Sequence, residues 1–227
     1  MSEETTLLKE RVKRLRSIHL QAVASFHAFE VIQEYRATNL HGSELAQKHA
    51  EAIGAYKGFF NTAEKALNTE LHISVAKLFD SHKDALHIEK LVNYAEQNQA
   101  RLTAPQRAEL DDNDKYSSEL AAVYEGLNRD DLLDIKCKLE AAKDKIARLK
   151  DVRDKEVAHV NIKKPEELKY LSYQEFVELI ELSEKILNLV SNKIYGDIAV
   201  FDHYKDQVVE DTQSLLRLVG KAEGIIE

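Results

Sequence analysis

Tryptophan is missing from this chain, cysteine occurs once, proline twice and glycine seven times in 227 residues. With so few prolines, little forces a helix to break. The single cysteine, Cys137, excludes an internal disulfide and fits a reducing compartment. No apolar run approaches the ~20 residues that cross a bilayer, so no spanning segment is expected. The opening MSEETTLLKE is acidic and polar, unlike a secretory signal, and the expected location is the cytoplasm. A basic excess is also lacking: 32 Lys and Arg stand against 40 Asp and Glu, a net charge of −8. Such a chain has no general attraction for nucleic acid, and any RNA contact needs a local basic group. Neither a glycine-rich phosphate loop nor a Gly-x-Ser-x-Gly elbow is present, which removes two large classes of enzyme. Present instead are apolar residues at 44%, enough for a core, in a composition rich in Ala, Leu, Glu and Lys that favours helices.

The apolar spacing predicts helices nearly end to end. Leu8, Val12, Leu15, Ile18, Ala22, Phe26 and Phe29 step by three and four, marking one face of a helix over 2–40 that Ser2 can cap. His41-Gly42-Ser43 ends it. A second helical region over 44–80 has Leu45, Ile53, Tyr56, Phe60 and Ala63 on one face, with a bend expected near Leu67 to Leu71. There Gly54 and Gly58 either weaken the helix or permit close packing. A third helix is expected over 84–101. Thr103, Pro105 and Gln106 form a capping-box pattern for a fourth. Asn128 then caps a helix whose stripe, Leu132, Ile135, Leu139, Ala142, Ile146 and Leu149, reads as a bundle seam. Ser172 with Glu175 opens another helix, through Phe176, Ile180, Leu187, Val190 and Ile194. After a turn at Gly196-Asp197, a last helix carries Ile198, Phe201, Val208, Leu215 and Leu218. No repeat and no Pro/Gly/Ser linker divides the chain. The expectation is one all-α domain over 1–227, an up-and-down bundle of six to eight helices.

The stripe breaks its own rule after Leu149. One step further falls on Arg153 and the next on Glu156, with His159 near the margin of the same face. A charge on a packing seam needs partners. One reading is structural: Arg153 pairs with Glu156 or with a carboxylate on a neighbouring helix, and His159 hydrogen-bonds near a helix end. The other is chemical, with arginine and histidine meeting at a reactive site.

The run Arg153-Asp154-Lys-Glu-Val-Ala-His159 resembles the arginine–polar–histidine signature of the HEPN superfamily of helical nucleotide-binding domains, and its wording is most similar to the abortive-infection branch. Leu78-Phe79-Asp80 before a polar turn, and the helix beginning at Ser172, are similar to that branch too. The resemblance covers about residues 45–195. It implies a HEPN-like bundle and a metal-independent, usually dimeric RNA endonuclease of bacterial antiviral or toxin-like defence, needing no cofactor. In that role His159 is the general acid or base, Arg153 stabilises charge on the phosphate, and Asp154 orients one of them. Lys150, Lys155, Lys163 and Lys164 are the local basic group for RNA. A homodimer, RNA and an antitoxin-like protein are the implied partners. The alternative is a non-catalytic interaction or dimerisation module on the same fold. Asn161 stands where a toxin–antitoxin branch has tyrosine, so the modification control of that branch is not expected. On a straight helix His159 would lie about 120° from Arg153. Convergence therefore requires the helix to loosen after Val157, or two copies to face each other across a twofold axis.

Asp80, His82, Asp84 and His87 could supply metal ligands around one turn, but a solvated loop explains them more simply. Glu156-Val157-Ala158-His159 has the Glu-x-x-His spacing of di-iron bundles, and no second copy of it exists in the chain. The expectation is no metal. Cys137, alone in a helix, reads as inert, and Arg11, Lys13, Arg14 and Arg16 could touch RNA or an acidic partner but read more simply as a solvated face.

Overall fold

The computed structural model describes residues 3–36, 44–102, 126–157, 168–222 and 224. Ser2, Ser43 and the Thr103–Gln106 cap lie outside them. Among the described residues the fold is all-α, with no strand and eight α-helices: α1 (Glu3–Arg36), α2 (Glu44–Ala55), α3 (Lys57–Leu78), α4 (Ile88–Gln97), α5 (Arg129–Ala141), α6 (Lys143–Val152), α7 (Tyr173–Tyr195) and α8 (Asp202–Ala222). A π-helical turn, Arg153–Val157, follows α6 directly.

The local signals were obeyed. The Asn128 side chain accepts from the Asp131 N–H (2.8 Å) while Asp131 accepts from the Asn128 N–H (3.0 Å), a reciprocal cap. Ser172 and Glu175 do the same at the start of α7. Gly196 closes α7 in the left-handed region, φ 68°, which an L side chain enters only with strain. Two expectations fail, and one open alternative is decided. The second helical region breaks at Tyr56, not near Leu67 to Leu71. No atom lies within 4 Å of where a Cβ would stand at Gly54 or Gly58, so neither glycine serves close packing. The third helix starts at Ile88 and not at 84, because His87 receives the Lys90 N–H and caps it.

The chain forms two compact units. One comprises Met1–His19 and Ile73–Ala199, the other Leu20–His72 and Val200–Glu227. In the first, α7 packs on α4, and the expected α7 face is buried throughout, from Phe176 to Ile194. His19 is wholly buried, its Nδ1 2.8 Å from the Ser183 hydroxyl. In the second, α8 packs on α2, and Val31, Ile32, Ile53, Phe60 and Leu216 make the core. The inward face of α8 is therefore Leu216 with Val209 and Val219. The Leu215 and Leu218 of the predicted stripe are exposed, as is Ile198.

Candidate functional site: the arginine at the end of the seam helix

The seam stripe is buried at Leu132, Ile135, Ala142 and Leu149, with a short break at Ala142 between α5 and α6. The next buried residue is Val152, not Arg153. From Arg153 the winding opens to a π turn, which admits an extra residue per turn and interrupts the 3.6-residue count. Arg153 lies at the edge of the stripe with a side chain 21% exposed, and its own N–H still bonds the Leu149 carbonyl, so the π winding resets only the residues that follow it. The residues after Val157, where loosening was one of the two expected routes to convergence, lie outside the described residues.

Two carboxylates hold the guanidinium. Its Nε donates to Asp154 Oδ1 at 2.7 Å, and Nη1 donates to Asp80 Oδ2 at 3.3 Å. Asp80 stands just beyond the end of α3, and its other oxygen accepts the His82 N–H at 3.0 Å, fixing the turn. One helical turn before Arg153, Lys150 donates to the Ser81 hydroxyl at 3.0 Å. Two cations thus tie the segment after α3 to the end of α6. The hydrogen bond to Asp154 raises the Arg153 pKa, burial opposes this, and Asp80 adds to the rise. Burial pushes the Asp80 carboxyl upward. The His82 N–H, Arg153 and Lys150 together outweigh it and hold the group below its ordinary value.

The structure thus brings Arg153, Asp154 and Lys150 together and adds Asp80. Lys155 lies apart, half-exposed and paired with Asp151 at 2.8 Å. His159, Lys163 and Lys164 lie outside the described residues, as does the side chain of Glu156. The structural alternative foresaw a neighbouring carboxylate without naming Asp80. The signal was the Leu78-Phe79-Asp80 run, but no local pattern links residues 73 apart.

The candidate metal ligands each have another task. Asp80 serves Arg153 and the turn, His82 and Asp84 are well exposed, and His87 caps α4. Burial lowers the pKa of His87, favouring the neutral ring that a capping acceptor requires. Among the described residues no group of three His, Cys, Asp or Glu could hold a metal. Cys137 is exposed. No described helix is long and apolar enough to cross a membrane. Arg16 is not merely solvated as expected: it binds Asp197, Asn188 and Ser191, linking α1 to the end of α7.

An all-α chain that sets Arg-Asp at the end of a seam helix, six residues before a histidine, has the marks of a HEPN-type abortive-infection protein. The family profile HEPN_AbiU2, described as AbiU2, matches residues 7–215, and the chain belongs to that family. No curated protein and no solved structure matches it.

Proposed function

We propose that this chain is a metal-independent RNA endonuclease of bacterial antiviral or toxin-like defence. It works in the cytoplasm as a homodimer that an antitoxin-like protein restrains. Family membership supports this reading, together with the Arg153-Asp154 pair beside Lys150 and the sequence position of His159. The observation that carries it is Arg153: a guanidinium fixed by Asp154 and Asp80 at a π turn, a winding often found at functional sites.

In the proposed reaction His159 takes the proton of a ribose 2′-hydroxyl. The O2′–P bond forms as the P–O5′ bond breaks, leaving a 2′,3′-cyclic phosphate. The departing O5′ is protonated by a second imidazole, supplied by the other copy. Arg153 meets the charge that builds on the phosphate oxygens, with Asp154 keeping its Nε side in register. Lys150, with Lys163 and Lys164, supplies the local positive charge that a chain of net charge −8 otherwise lacks.

The test is RNA cleavage in the presence of a chelator by wild-type protein and His159→Ala. Loss of about a hundredfold or more in rate is expected. Equal cleavage by both, or none by the wild type on any RNA offered, overturns the assignment.

One observation favours a second reading, the non-catalytic module: Arg153 already has two carboxylate partners. That reading predicts that Arg153→Ala lowers oligomer mass or melting temperature while RNA turnover stays absent.

A further inference from the structure

A cleft of about 540 Å³ lies between α4 and the α5–α6 pair, within the range of small-ligand sites. Its walls include Val92, Ile135, Leu139, Ile146 and Ala147. Leu139 and Ile146 belong to the seam stripe, yet they are only half-buried because the cleft leaves that stretch uncovered. Lys150 lines the cleft and also sits beside the Arg153 network, so the two places share a rim.

The charges on that rim are unequal. Lys143 is paired with Glu140 at 2.9 Å and Lys136 with Glu96 at 3.2 Å. Lys150 instead donates to the Ser81 hydroxyl, and the carboxylate that feels its charge is Asp80, on the Arg153 side. Glu89 and the exposed Asn93 also line the cleft. An apolar interior with a carboxylate at its edge disfavours a phosphate inside. It suits a flat, neutral ring carrying amino donors, while the cations beside it suit the phosphate that follows.

We propose that this cleft is a nucleoside subsite, seating one unstacked base of single-stranded RNA while Lys150 and Arg153 engage the adjoining phosphate. The proposal rests on the RNA-cleaving reading and adds the strandedness and seating of the substrate. A duplex keeps its bases stacked and cannot present one in this way.

The experiment uses full-length His159→Ala protein, so that RNA stays intact, and fluorescence anisotropy with two pentamers. One is an ordinary single-stranded RNA; the other has the same phosphates but abasic riboses. The ordinary strand should bind about tenfold more tightly, the scale of one stacked base. Ala147→Trp, which fills the cleft from an exposed position, should collapse that ratio towards one. Asn93→Ala, a surface change with little effect on folding, should reduce it at least threefold. Retention of the full ratio in both variants overturns the subsite while leaving RNA cleavage intact. So does equal binding of the two strands by the protein without these substitutions. If that protein binds neither strand and the wild type cleaves no RNA, the proposed function falls and the subsite falls with it.

Discussion

Replacing Asp80 with asparagine separates a catalytic arginine from a structural one. Asparagine keeps the shape, and its carbonyl oxygen can still accept the His82 N–H. Its amide nitrogen then faces Arg153 Nη1, donor against donor, and Arg153 retains only Asp154. The lost pair has side chains 21% and 23% exposed, between two measured regimes. Exposed pairs contribute about 0–1 kcal/mol, whereas removing one partner from a fully buried pair costs about 3–5 kcal/mol. With Asp154 still in place, about 1–2 kcal/mol is expected, a fall in melting temperature of about 3–6 °C. If a phosphate must displace Asp80 to reach Arg153, the same free energy reappears as tighter RNA binding, about tenfold. Asp80→Asn should therefore melt earlier and bind uncleaved RNA more tightly, the latter measured in the His159→Ala background. A lower melting temperature with unchanged or weaker RNA affinity refutes the reasoning, because Arg153 would then be a packing residue that meets no phosphate.

Other consequences concern stability. The Ser183 hydroxyl donates its one hydrogen to the Ile180 carbonyl, so it accepts from His19, fixing a neutral ring protonated on Nδ1. Burial lowers the His19 pKa from 6.5 to about 4. The unfolded chain therefore binds the proton first, and stability falls as pH drops from 6.5 to 4, by about 3 kcal/mol in total. Urea midpoints across that interval should flatten in His19→Gln, and an unchanged slope contradicts the assignment. The Arg148 guanidinium, with the Ser172 N–H, draws Glu175 down to about 2. That contribution is complete above the ordinary carboxylate pKa and is lost as pH falls from 4.5 towards 2. Arg148→Met should move the Glu175 titration, followed by NMR, upward. Gly196→Ala forces an alanine into the left-handed region and should cost about 1 kcal/mol, or 2–4 °C in melting temperature. An unchanged melting curve would mean that the α7 terminus rearranges freely.

What could be read from the sequence was governed by range. The caps at Asn128 and Ser172 and the stop at Gly196 are decided within four residues, and all three stand as expected. The α8 face was ambiguous because Leu215-Leu216 and Leu218-Val219 are adjacent apolar pairs, allowing two stripes. Only packing against Val31, Ile32, Ile53 and Phe60 selects Leu216. The break at Tyr56 carries no proline, and its flanking Gly54 and Gly58 were open to two readings, a weakened helix or close packing. Arg153 was conspicuous as a charge on an apolar stripe. Its partner could not be read there, because Asp80 is brought near only by tertiary folding.

The division into two units shapes how the protein is made. Neither unit is a single stretch of chain: the first needs 1–19 with 73–199, and the second needs 20–72 with 200–227. A ribosome delivers the early segment of each long before its complement. The Val31–Phe60 cluster must wait, uncovered, until Leu216 has emerged. A nascent chain built this way stays incomplete in one half until α8 is translated, and that delay gives a chaperone time to bind first.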